Sequence, residues 1–298
     1  MNMDIKEEIT MHASKIDEIL KKYLPTEQGY QKTVIEAMNY SILAGGKRLR
    51  PMLMQETYRM FGGKSDVIEP FMAAIEMIHT YSLIHDDLPA MDNDDYRRGR
   101  KTTHVVYGEA IGILAGDGLL NYAFETAILA LEKEPENRNI AKALRVLSSK
   151  AGIYGMIGGQ TVDIETDQTQ EVTKEQLEFI YQLKTGALIE AAMLIGAILA
   201  GATKNEQNLI EQVAAKVGLA FQIQDDILDV TGTTEMLGKP AGSDEKNGKA
   251  TYITYEGIEK AANDVETISA EAIQKMNSLV VKNEFLIQLL NTLIHREK

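Results

Sequence analysis

Apolar residues return every three or four positions along almost the whole chain, the period of an amphipathic helix, while the alternation of a strand is nearly absent. Segments near 4–22, 30–44, 50–61, 67–88, 106–131, 137–157, 173–201, 205–230, 252–277 and 281–296 carry that spacing. Breakers separate them: Gly62-Gly63, the stretch around Pro135, the polar run 163–172 and a Gly-rich loop at 231–250. The prolines fall mostly at these junctions, as helices require. No low-complexity linker and no repeat of solenoid period interrupts the pattern. The expectation is one all-α domain over 1–298, a single bundle of about ten or more helices. Segments 186–201 and 213–228 are apolar on nearly every face and should lie at its centre.

Composition narrows the function classes. Of 298 residues, 44% are hydrophobic and 25% charged, so a sizeable core needs no staples. Lys and Arg number 31 against 44 Asp and Glu, a net charge of −13, which argues against a general nucleic-acid binder. With no cysteine there is no disulfide, thiolate metal site or cysteine nucleophile. The first twenty residues show no basic region ahead of an apolar run, so no secretory signal is expected. The most membrane-like run, 186–202, is 17 residues with Glu190 inside, short of the ~20 a spanning helix needs. It reads as a core helix, and the chain as cytoplasmic with no stable membrane insertion.

Two acidic runs stand out. In DDLPAMD, Asp86 and Asp87 end an apolar helix, Pro89 should stop it at Leu88, and Asp92 returns within reach of Asp86. In DDILD, Asp225 and Asp226 lie four and three residues before Asp229, on one helix face. Two carboxylates ~5 Å apart at an effective dielectric of ~20 repel by roughly 3 kcal/mol, so something must neutralise them. Oxygen-only donors favour a hard ion, magnesium before zinc. One such run is as compatible with a solvated helix end; two, each abutting an apolar helix, shift the balance. An EF-hand starting at Asp92 fails because Arg97 stands where that loop needs glycine.

Cations recur beside these acids. Lys47 and Arg50 follow Gly45-Gly46 at a helix junction, where exposed amides and fixed charge make an anion site. Arg97-Arg98 follow the first acidic run, Lys184-Thr185 head the most apolar helix, and Lys239 and Lys249 lie in the Gly-rich loop. Singly, each reads as a surface charge; together they suit a ligand with a polyanionic head and a hydrocarbon tail. His79, seven residues before Asp86, shares its face, with a neutral core histidine as the plain alternative.

At this point the chain resembles the trans-isoprenyl diphosphate synthases, most closely their bacterial farnesyl type. The matching segments are GGKRLRP at 45–51, IHTYSLIHDDLPAMDNDDYRRG at 78–99, GILAGDGLL at 112–120, GGQTVDI at 158–164, KTGAL at 184–188, GLAFQIQDDILDV at 218–230 and LGKPAGSDEKNGKATY at 237–252. The resemblance implies the isoprenoid synthase fold, helices around a central cavity, and 1'-4 condensation of isopentenyl diphosphate with dimethylallyl and then geranyl diphosphate. It implies two or three magnesium ions, with manganese as an alternative, on Asp86, Asp87, Asp92 and Asp225, with Asp226 and Asp229. Arg97, Lys184, Lys239 and Lys249 would complete the allylic diphosphate site. Gly46, Lys47, Arg50, His79 and Arg98 would hold isopentenyl diphosphate, and Thr185 and Gln222 would line the reacting carbons. Asp86, Asp225, Lys184, Thr185 and Gln222 thus form the expected catalytic set, in a homodimer.

Product length is a separate inference. Tyr81 and Ser82 precede Asp86 by one turn or a little more, Tyr81 about 7.5 Å along the axis, where a growing tail should meet its ring. That aromatic, with the two extra residues in DDLPAMD, resembles the bacterial farnesyl type, and the resemblance implies a fifteen-carbon product. The competing readings are a geranylgeranyl synthase, a terpene cyclase and a non-catalytic partner subunit. The second basic set argues against the cyclase, and two intact acidic runs argue against the subunit.

Overall fold

The computed structural model describes residues 4–169, 172–232 and 250–295. The all-α expectation holds. In chain order the helices are α1 (Ile5–Lys22), α2 (Lys32–Ile42), α3 (Leu49–Met60), α4 (Glu69–Asp86), α5 (Thr103–Tyr107), α6 (Glu109–Ile128), α7 (Ala130–Lys133), α8 (Asn139–Ala151), α9 (Met156–Thr169) and α10 (Lys174–Ile180). They continue with α11 (Ala187–Leu199), α12 (Lys204–Thr231), α13 (Tyr252–Glu256), α14 (Ile258–Ser278) and α15 (Glu284–Ile294). The described chain groups into two compact units, residues 1–55 with 64–145 and residues 56–63 with 146–298.

In the first unit α4 is the buried member, with Pro70 in its first turn and every residue from Pro70 to Ile78 enclosed. It packs along α6, where Gly116 leaves room for the His85 ring of α4. In the second unit α11 is buried at every position except Glu190, whose carboxylate pairs with Lys150 of α8. Alongside it runs α12, started by a capping box in which Thr203 and Glu206 satisfy each other's backbone amides. Segment 186–202 belongs to a longer helical run, Lys174–Leu199. That run and Asp66–Asp86 are long and apolar enough to cross a membrane, yet 78% of each window is buried in the protein, the condition of a core helix.

Four local expectations change. The polar run 163–172 does not break the chain at its start, because α9 continues to Thr169. Asp163 and Thr166 are polar but buried, Asp163 by pairing with Lys184, so the apolar period fails while the helix persists. Segment 252–277 divides at Gly257, and 137–157 divides between Ala151 and Met156. Helix α4 ends at Asp86, two residues before Leu88, with Asp87 as its cap. A two-residue hairpin, Tyr96–Arg97 against Arg100–Lys101, went unpredicted.

Candidate active site

In the first unit, Gly46, Lys47, Arg50, His79 and Arg98 line one cavity of about 340 Å³, together with Arg48, Leu49 and Glu76. Three stretches of sequence converge there. Gly45 (φ +82°) and Gly46 (φ +149°) turn the chain into α3, a conformation that excludes a side chain. A Cβ on Gly46 would also stand 2.5 Å from an Arg98 guanidinium nitrogen. From α4 come Glu76 and, one turn on, His79. The third stretch is the hairpin, whose turn residues Arg98 (φ +54°) and Gly99 (φ +74°) are both left-handed, as a type I′ turn requires. That turn sends neighbouring arginines apart: Arg98 donates to the Gly45 carbonyl, whereas Arg97 donates from Nε to Asp87 Oδ1 at 2.7 Å.

The cavity is electropositive. Burial lowers Arg50 from the usual arginine value; Glu76 opposes this and Arg98 adds to it. Burial lowers Arg98 too, with Arg48 and Arg97 contributing. His79 is held well below its ordinary value by burial and then by Arg50 and Arg98, so its imidazole is neutral. The Arg50 Nε–H is buried with no hydrogen-bond partner among the described residues. Such a donor costs free energy unless an acceptor meets it.

At the end of α4 the Asp92 amide donates to the Asp86 carbonyl at 2.8 Å, bringing Asp92 back beside Asp86 as its spacing predicts. Asp87 is 4% exposed; burial raises its pKa, while the bond to Arg97 pulls it down. Arg97 rises because its bond to Asp87 outweighs burial. Tyr81 is buried, pushed up to about 12 by burial and then by the Asp86 charge, and its ring meets the His85 ring edge-on at 5.7 Å. Ser82 is half-buried and returns its hydroxyl to the His79 carbonyl at 2.9 Å.

In the second unit, Lys184 and Thr185 sit in a π-helical turn, Tyr181–Gly186, between α10 and α11. Wide turns of this kind are common at functional sites. Lys184 pairs with Asp163 of α9, and a Cβ on Gly159 would overlap the Lys184 backbone, so GGQTVDI brings α9 against this turn. Gly218 of α12 approaches Gly186 so closely that a Cβ would lie 2.9 Å from its Cα; Gln222 follows one turn later. Asp225 is exposed, whereas Asp229 is 3% exposed. Asp226 is buried and accepts from the Tyr181 hydroxyl at 2.5 Å and the Tyr252 amide at 2.6 Å. Lys239 and Lys249 lie outside the described residues, as do Arg296 and Lys298.

Sequence reasoning passed over Arg48, Glu76, Asp163, Tyr181 and Tyr252. A glutamate three residues before His79 in an apolar helix was the available signal for Glu76. Among the described residues, no three acid or histidine side chains could cage an ion by themselves. A hard divalent ion at either acidic run would complete its shell from water and from phosphate oxygens.

A largely helical chain with two aspartate runs and an arginine-lined cavity has an established family, which the comparisons give. The polyprenyl synthetase family matches residues 31–290, and the chain belongs to that family. It is 42% identical to a geranylgeranyl diphosphate synthase of Cyanophora paradoxa, covering 94% of this chain and 93% of the relative. It is equally 42% identical to the farnesyl diphosphate synthase of Escherichia coli K12, over 93% of each. A solved geranyltransferase of Helicobacter pylori, complexed with magnesium and isoprenyl diphosphate, superposes with a TM-score of 0.83 at 32% identity, covering 99% of this chain and 97% of that one.

Proposed function

We propose that this prenyltransferase makes (2E,6E)-farnesyl diphosphate, by 1'-4 condensation of isopentenyl diphosphate with dimethylallyl and then geranyl diphosphate. One observation carries the reading: the cavity of Gly46, Lys47, Arg50, His79 and Arg98, with a buried Arg50 donor awaiting an anion. Fixed arginines recognise phosphate oxygens through paired donors. This cavity would hold the isopentenyl diphosphate head, leaving the aspartate runs for the allylic partner.

The donor set fits magnesium, since both runs offer only carboxylate oxygens. Asp86 and Asp92, with Asp87, and Asp225, with Asp226 and Asp229, would hold the ions; bound magnesium would neutralise the departing diphosphate. Arg97, Lys184, Lys239 and Lys249 would stabilise the same charge, the electrostatic part of catalysis. Thr185 and Gln222 would present oxygens to the allylic cation, and apolar walls would keep water from it. The released diphosphate can take the final proton, so no dedicated base is required.

Fifteen carbons follow from Tyr81, buried on α4 one turn and a residue before Asp86. A geranylgeranyl product is the alternative, since the chain is as similar to that named relative as to the farnesyl one. Purified chain incubated with magnesium, labelled isopentenyl diphosphate and each allylic substrate in turn decides between them: a fifteen-carbon product supports the reading, a twenty-carbon one replaces it, and no product with any substrate refutes it. The reading includes a cytoplasmic homodimer. The exposed Ile113, Leu114 and Ile128 of α6 support self-association. Light scattering at twice 33.1 kDa is the expected result.

A further inference from the structure

Two charged side chains of the isopentenyl diphosphate cavity have no role in that reading. Arg48 is 4% exposed and Glu76 3%. Arg48 commits each of its three guanidinium nitrogens to protein: Nη1 to Glu76 Oε1 of α4 at 2.7 Å, Nε to Asp17 Oδ1 of α1 at 2.8 Å, and Nη2 to the Ile42 carbonyl of α2 at 2.7 Å. With its side chain 2% exposed and all three nitrogens bonded to protein, Arg48 is engaged by the fold, whereas Arg50 keeps an unmet donor. Its backbone is left-handed (φ +50°), a conformation that a non-glycine residue keeps only when its surroundings over-determine it. The three bonds supply that determination. Lys47 directly precedes it and Arg50 follows two residues later, so the attachment of Arg48 governs where both cations are presented.

Glu76 is the complementary half. It lies three residues before His79 on α4, hence on the same face, and it lines the cavity with Arg50, Arg98 and Lys47. It is the one carboxylate among the cavity residues. A buried ion pair is a weak source of stability, because desolvation offsets most of its attraction. What it supplies is geometry.

We propose that the Arg48–Glu76 pair is the positioning device of this cavity: Arg48 pins the 45–50 turn to three helices, and Glu76 holds the neighbouring cations in place until a diphosphate arrives. The inference rests on the cavity being the isopentenyl diphosphate subsite. Lysine cannot replace Arg48, since a point charge cannot address three acceptors in different directions.

Steady-state kinetics in both substrates, with thermal melts, test it. Arg48→Lys and Glu76→Gln should each raise KM for isopentenyl diphosphate about tenfold or more, the scale of misaligned charge-assisted bonds, with kcat and the allylic KM changed about twofold or less. The double variant Arg48→Met with Glu76→Met replaces the pair by apolar volume. Its melt should recover while its KM stays raised, whereas a purely structural pair would have its KM restored as well. An unchanged isopentenyl KM in Glu76→Gln, or a restored one in the double variant, overturns the proposal. Arg50→Gln separates the two levels. If it too leaves that KM unchanged, the cavity is not the subsite and the functional reading fails; if it alone raises KM, only the positioning inference fails.

Discussion

Replacing Tyr81 by alanine is the sharpest test of product length. The ring is 5% exposed and held edge-on against His85, at an interplanar angle of 86°. Its removal should cost about 3–5 kcal/mol, the range for deleting a buried aromatic, towards the upper end if the space it leaves stays open. The melting temperature should therefore fall by several degrees while unfolding stays cooperative. Against that cost stands a gain for longer products. One further five-carbon unit, buried at about 0.8 kcal/mol per carbon, contributes roughly 4 kcal/mol, nearly a thousandfold in binding. With a gain of that size available, space rather than affinity must stop the chain at fifteen carbons. The assay extends labelled isopentenyl diphosphate from dimethylallyl diphosphate, removes phosphate from the products and sizes them by chromatography. Tyr81→Ala should give products of twenty carbons and longer, and Tyr81→Phe should keep fifteen. A well-folded Tyr81→Ala enzyme that still stops at fifteen carbons refutes the idea that this ring is the floor.

Asp225→Ala should lower kcat at least about a hundredfold without altering helical content by circular dichroism, since Asp225 is exposed and leaves no cavity; near-normal turnover would remove it from the catalytic set. Gly116→Ala should drive the added methyl into the His85 ring, whose Nε2–H donates to the Ile113 carbonyl at 3.0 Å. The expected cost is about 1–3 kcal/mol of stability with a broadened product range, checked by melting and product sizing, and a variant unchanged in both contradicts the packing. Lys150→Met leaves the Glu190 carboxylate buried without its ammonium partner, at a cost near pH 7 of about 3 kcal/mol. Burial already raises Glu190 above its ordinary 4.5, and Lys150 is all that opposes it. A carboxyl raised in the folded state binds more protons there than when unfolded, so the variant's deficit should be smallest below pH 4.5 and grow as pH rises through the folded value. Melts from pH 4 to 8 showing a constant deficit would reject that account.

How far the chain could be read in advance depended on the distance over which each feature is determined. Helices and their order were legible because the apolar period is local, and so was the return of Asp92 to Asp86, which a stop after α4 forces within six residues. Where polar residues are buried by pairing, the same pattern misled. Asp163 and Thr166 read as a loop because the lysine that buries Asp163 is 21 residues away. Arg97 and Arg98 are adjacent and chemically identical, yet one meets Asp87 and the other lines the anion cavity; only the left-handed hairpin turn separates them, and no periodicity reports it. In 45–50 the three cations look equivalent, but Arg48 is committed to Asp17 and Glu76, 31 and 28 residues distant, while Arg50 keeps a donor unmet. The same holds for Asp226, whose partners Tyr181 and Tyr252 lie 45 and 26 residues away, beside an Asp225 that remains exposed. Charges that look equivalent in a motif are therefore not equivalent in the fold, and which of them are already engaged by the protein is decided by long-range packing.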